Sequence, residues 1–152
     1  MTKKQNHNQS VQVKITMKAK TLLQLPLALT FWLTATCAFS LDFQLHPNNS
    51  PSLNAIMAQG EIQTGDTIKL AELISELPTR KNTAVYLASR GGSLIEGMEL
   101  GLLFRRLGIK TIVEGGQICA SACALAFLGG TDGKGKPWRS SSDNSQLGFH
   151  AF

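Results

Sequence analysis

The sequence predicts an α/β domain with a mostly parallel sheet, and three observations carry that expectation. From Ala55 onward, short apolar runs of strand length alternate with amphipathic stretches of helix length, as strand–helix–strand crossovers require. The run Thr83 to Ala88, with Val85, Tyr86 and Leu87, is continuously apolar, as expected of a strand covered on both faces. Glycines punctuate the ends of these runs, at Gly60, Gly65, Gly91-Gly92, Gly108 and Gly115-Gly116.

Each element follows in order. Asp42 to Asn54, with Pro47 and Pro51, has the composition of a linker, and His46 reads there as a solvated loop residue. Ala55 to Ile62 is the first strand. Asp66 or Thr67 can N-cap a helix from about Ile68 to Leu77, which Pro78 ends. Ile68, Leu70, Leu73, Ile74 and Leu77 give it one apolar stripe. The strand Thr83 to Ala88 runs into a Gly-Gly turn. Ser93 to Leu107 is then a helix, with apolar Leu94, Ile95, Met98, Leu102 and Leu103. Arg105 and Arg106 complement the dipole of its last turn, and Gly108 stops it. Thr111-Ile112-Val113 makes another short strand. Gly129 to Ser145 reads as a surface loop, and Leu147 to His150 as a last apolar segment.

Length and charge narrow the function. The 152 residues suit one domain. The formal charge of +5 resides in the first 40 residues, which hold five lysines and no acid. From Leu41 onward ten Lys/Arg balance ten Asp/Glu, so no basic surface for nucleic acid is expected. Lys18 and Lys20 precede an uncharged run from Thr21 to Leu41, and Ala38-Phe39-Ser40 places small residues at −3 and −1 of a cleavage site after Ser40. Met17 offers an internal start that would shorten the charged region. The expected organisation is a signal peptide over 1–40, a linker over 41–54 and a domain over 55–152. Export to the periplasm follows, or anchoring at the inner membrane if the segment is retained, since the run approaches the ~20 residues of a span. Cys37 lacks the preceding residues of a lipidation site.

The most informative stretch is Gly115 to Gly130, which sets Ser121 among small residues at the start of an Ala/Leu-rich run. A serine at a helix start lies beside unpaired N–H groups, which suits a nucleophile and its oxyanion. The bland alternative is a small residue that lets a helix pack closely. His150, taken as the only histidine of the folded region, is the candidate general base. Gly91-Gly92 is not a phosphate loop, because no Gly-Lys-Ser/Thr follows. Cys119 and Cys123 lack companions for a metal site. They can be buried thiols or, in an oxidising compartment, a disulfide, and the difficulty of bridging a helical turn favours thiols.

Together these segments resemble the ClpP-type serine peptidases of the ClpP/crotonase superfamily, in particular exported ClpP-like proteins with a Cys-x-Ser-x-Cys element. The resemblance rests on Gly60-Glu61-Ile62, Gly65-Asp66, Ser89-Arg90-Gly91-Gly92-Ser93, the serine element and Gly148-Phe149-His150. It implies repeated strand–helix units, a peptide or protein substrate, no cofactor and no metal. It makes Ser121 the nucleophile and His150 the base, with oxyanion N–H groups from Gly92 and Ala122, and Gly91 allowing close approach. Arg139 either matches an arginine that such proteins carry in the loop before the histidine strand or is a solvated loop charge. Two features depart from the pattern. Arg90 stands where ClpP has proline, and only Ala151 and Phe152 follow His150, before the family's catalytic aspartate. Glu96, Glu99 and Glu114 are the acids nearest the motifs. The expectation is therefore a C-terminally truncated, marginally stable and weakly active relative that lacks the region used for oligomer contacts. The rival readings are a non-catalytic binding or assembly module and a crotonase-like acyl-CoA enzyme. Ser121 with His150, and the absence of a basic cluster for CoA phosphates, argue against the latter.

Overall fold

The computed structural model describes residues 40–78 and 82–150, all within one compact unit, Thr36–Phe152. Most of the expected signal segment, including Met17 and Cys37, lies outside the described residues. Among the described residues no helix is long and apolar enough to cross a membrane.

Among the described residues seven strands and three helices follow one another as β1 (Asp42–Leu45), β2 (Leu53–Gln59), α1 (Asp66–Glu76), β3 (Asn82–Ala88), α2 (Leu94–Leu107), β4 (Lys110–Val113), β5 (Ile118–Ala120), α3 (Ala122–Leu128), β6 (Arg139–Ser141) and β7 (Gln146–Gly148). The larger sheet has the order β1-β2-β3-β4-β6. Its β1 edge is antiparallel to β2, and every other pairing is parallel. β5 and β7 form a separate parallel pair. The chain is thus a mixed α/β protein with a mostly parallel sheet.

Period-two alternation divides the core. Ile56, Ala58, Val85 and Leu87 join Leu70, Leu100, Phe104, Ala126 and Phe127 of the helices in the main cluster. Ala55, Ala84 and Tyr86 point the other way, with Met57 and Ile112, into a smaller cluster. This explains why β3 reads as a continuous apolar run: its last five residues are all buried.

Several expectations need correction. The segment read as a linker supplies β1, and its first residue, Leu41, is buried in the main core. Backbone pairing with β2 organises it despite its prolines. α1 begins at Asp66, after Gly65 in a left-handed conformation, so neither Asp66 nor Thr67 is its N-cap. Within its apolar stripe, Ile68 is exposed. The loop after α3 contains the edge strand β6, whose residues are all exposed and carry no apolar signal.

The largest correction concerns α2. Its ends are as expected, with the Ser93 hydroxyl accepting from the Glu96 N–H (3.3 Å) and Gly108 closing it at φ 65°. Its buried face is Gly97, Leu100, Gly101, Leu103 and Phe104. Leu94, Ile95, Met98 and Leu102 are exposed. Gly97 and Gly101 on that face let the backbone of α2 approach α3, while Leu100, Leu103 and Phe104 fill the core beside them.

Candidate active site

The site is assembled where β3 ends. The Ser89 N–H donates to the Ile118 carbonyl (2.8 Å), and the Ala120 N–H returns to the Ser89 carbonyl (3.0 Å), so β5 is held against this point. The buried Ser89 hydroxyl accepts the Gly91 N–H (3.1 Å), which turns the chain. Gly91 and Gly92 then take φ 111° and 139°, which side chains rarely adopt. A Cβ on Gly91 would lie 2.7 Å from Ser121 Cβ and 3.2 Å from the Ala122 nitrogen. The Gly-Gly segment therefore lies directly against the serine.

The two expected oxyanion donors are both out of the ladders. Ile62 pairs with Gly92 through the Gly91 carbonyl (2.8 Å) and the Ser93 N–H (2.8 Å), which leaves the Gly92 N–H unbonded to any described residue. Ala122 is the first residue of α3, whose first turn closes only with Leu125 N–H to the Ser121 carbonyl (3.3 Å).

Ser121 occupies the junction between β5 and α3 with φ 56° and ψ −124°. This is a sparsely populated conformation for a residue with a side chain, typically costing about 1–3 kcal/mol. The half-buried side chain does not cap the helix. Its N–H donates to the Gly148 carbonyl (2.9 Å), which hangs the turn from β7.

Cys119 and Cys123 are disulfide-bonded, with Cα atoms 5.2 Å apart and both residues fully buried. The preference for free thiols assumed a bond inside one helical turn. Instead Cys119 lies in a strand and Cys123 in a helix, and the bond spans the strained residue between them.

His150 lies two residues beyond β7 and is exposed. It makes no hydrogen bond to Ser121 or to any other described residue. The register Ala120↔Gly148 brings its segment alongside the end of β5, and the pairing stops there, one residue short of Ser121. The nearby acids are engaged elsewhere or free. The Glu96 carboxylate accepts from the Gly65 and Thr67 N–H groups (3.1 and 2.7 Å), Glu114 meets His46, and Glu99 is exposed. None of the three orients His150. Arg139 opens the edge strand β6 opposite Thr111 and is exposed.

A cleft of about 600 Å³ lies at the carboxyl ends of β2 and β3, where parallel sheets place ligands. Glu61, Ser89, Arg90, Gly91, Gly92 and Gln117 are among its walls. Arg90 is exposed in it and forms no ion pair with described residues. Among the described residues no three His, Cys, Asp or Glu side chains gather as metal ligands.

Two polar clusters escaped the sequence reading. His46 is not solvated; it is 7% exposed and stacked on Tyr86, ring centroids 3.8 Å apart. Its Nδ1 accepts the Asn48 N–H (3.1 Å), so Nε2 carries the proton and donates to Glu114 (3.1 Å). His150 is therefore not the only histidine of the folded region. Tyr86, His46's partner, belongs to the smaller cluster on the sheet face away from Ala122 and Cys123. The second cluster surrounds Asp66, which is fully buried and accepts from Ser40, Lys69, Gln63 and Leu41. Burial would raise its pKa, but these donors outweigh that and hold the carboxyl below its ordinary value. Glu96 is lowered likewise, its burial and the neighbouring Asp66 charge being overcome by donors on Thr67 and Gly65.

Comparison of the chain with known proteins found no matching family model, no matching curated protein and no matching solved structure.

Proposed function

We propose that the domain is an exported ClpP-like serine hydrolase that cleaves peptide bonds. The observation that carries this reading is the strained Ser121 at a strand–helix junction, with Gly91-Gly92 packed against it and two unladdered N–H groups nearby. Strain of this kind is retained where it serves to present a side chain. In this reading the Ser121 hydroxyl attacks the substrate carbonyl, and the Gly92 and Ala122 N–H groups stabilise the resulting oxyanion by about 3 kcal/mol each. His150 takes the hydroxyl proton and returns it to the leaving amine, swinging in from a segment already tied to the Ser121 N–H through Gly148. The cleft beside Gly92 receives the extended substrate. The signal-like segment supports action in the periplasm, where the Cys119–Cys123 disulfide is also at home.

A fluorophosphonate probe tests the reaction. Wild type should be labelled covalently and Ser121→Ala should not; equal absence of label from both folded proteins would remove the nucleophile.

A second reading, a non-catalytic module that uses the same cleft to bind extended peptides, is favoured by one observation: His150 is exposed and has neither Ser121 nor an acid as a bonded partner among the described residues. In that case peptide binding survives Ser121→Ala and no labelling occurs.

A further inference from the structure

The main-chain nitrogen that signal removal would free already points at a buried carboxylate. Leu41 is 3% exposed, and its N–H lies 3.3 Å from Asp66 Oδ2. Asp66 is fully buried and also receives Gln63 N–H (2.7 Å), Ser40 Oγ (2.7 Å) and Lys69 Nζ (3.0 Å). Ser40, just ahead of Leu41, is the residue after which the small-residue pattern Ala38-Phe39-Ser40 places cleavage.

We infer that removal of the signal creates the ligand for this pocket: the new Leu41 ammonium becomes the ion-pair partner of Asp66 and locks β1 to the start of α1. This rests on the export reading above, and not on the hydrolase reading. Hydrolysis of the Ser40–Leu41 peptide bond consumes one water. Its hydroxyl adds to the Ser40 carbonyl carbon, the carbon–nitrogen bond breaks, and the carboxyl proton passes to the amine, leaving a carboxylate and an ammonium. Cleavage removes the Ser40 hydroxyl from Oδ1 and supplies three N⁺–H donors beside Oδ2, so the acceptor sites stay filled. Cleavage also takes the Ser40 hydroxyl from Lys69 Nζ, whose half-exposed side chain retains its bond to Oδ1. A buried carboxylate that gains a cation of fixed position is better compensated than one held by a long surface side chain. Processing therefore does more than release the chain: it completes the core contact at which Leu41 and Asp66 meet.

The test uses the full chain, expressed with its leader in a bacterial host and recovered after export. N-terminal sequencing and intact mass should give a chain starting at Leu41; a chain that retains Ser40 or starts elsewhere overturns the proposal, with no bearing on turnover. Acetic anhydride at pH 8 should then acylate the Leu41 amine about tenfold more slowly in folded than in denatured protein, while exposed Lys134 and Lys136 react alike in both. Equal rates at Leu41 overturn the proposal. Asp66→Asn should abolish the protection, but it leaves one accepting oxygen where there were two, so that Gln63 or Lys69 loses its acceptor and the domain can unfold. A second variant, with alanine inserted between Ser40 and Leu41, moves the amine outward and keeps Asp66. Its amine should react as fast as in denaturant, and persistent protection there overturns the assignment.

Discussion

Gly97 of α2 lies so close to Ala122, the first residue of α3, that a methyl group on it would sit 2.8 Å from the Ala122 Cβ and nearer still to the Ala122 carbonyl oxygen. The position of the Ala122 N–H, the proposed oxyanion donor, is thus set by the absence of a side chain on a neighbouring helix.

Gly97→Ala should force α2 and α3 apart. Overpacking of this kind typically costs about 1–3 kcal/mol, and because backbone atoms of Ala122 are the obstacle the cost should exceed the ~1 kcal/mol that alanine adds in a helix interior. Urea denaturation should show the loss, and fluorophosphonate labelling at Ser121 should slow beyond what the fraction unfolded explains. A stabilised variant with normal labelling would show that the helices can separate freely.

Ser121→Gly should be the reverse kind of change. Glycine accepts φ 56° with ψ −124° at little cost, so relief of strain should raise stability by up to about 1–2 kcal/mol, less the greater freedom of glycine when unfolded. The same substitution removes the hydroxyl, so labelling should vanish. Compared with Ser121→Ala, which keeps the strain, the glycine variant should have the higher urea midpoint.

Stability should fall in acid, with a sign fixed by two carboxylates. Asp66 and Glu96 both titrate below their ordinary values when folded. The unfolded chain therefore binds protons first as pH drops. Their contribution is complete above the ordinary carboxylate range, begins to fall near pH 4.5, and is lost as pH passes down through the folded values. Urea midpoints measured from pH 7 to pH 3 should be flat at first and then decline. Asp66→Gln should be less stable at pH 7 and should show a shallower decline.

His46→Ala should destabilise the domain although the residue lies in a segment rich in loop signals. It removes the stack on Tyr86 and the bond to Glu114, together about 2 kcal/mol. A double-mutant cycle with Glu114→Gln should give a coupling of about 0.5 kcal/mol or more. Labelling of Ser121 in the folded fraction should be unchanged, because Tyr86 faces the smaller cluster and Ala122 the main one.

The elements that were legible in the sequence are those whose signals are local. α2 has a serine at its start and a glycine at its end, β3 is a run of buried residues, and Ser121 stands between a glycine turn and an Ala/Leu-rich run. Its junction followed from that pattern, although the intervening strand β5 did not. What was not legible depends on distant partners. His46 looks solvated until Tyr86, 40 residues away, is beneath it. Asp66 looks like a cap until Leu41 and Ser40 reach it from 25 and 26 residues upstream. Most of the apolar residues that α2 shows in sequence do not mark its buried face: Leu94, Ile95, Met98 and Leu102 are exposed, while Gly97 and Gly101 pack against α3 beside Leu100, Leu103 and Phe104. The disulfide was undervalued because a spacing of four residues suggests a helix, whereas a strand ends between the two cysteines.

The serine's own amide carries a further consequence. It is bonded to Gly148 across a ladder only three residues long, between strands separated by more than 20 residues of chain. That ladder is not part of the five-stranded sheet. A short pairing of this kind opens far more readily than a central strand does. Hydrogen exchange at the Ser121 amide should therefore be set by local opening of the small sheet, while Val85 and Leu87 exchange only on global unfolding. The protein would then lose and regain the geometry around its serine many times within the lifetime of a single folded molecule.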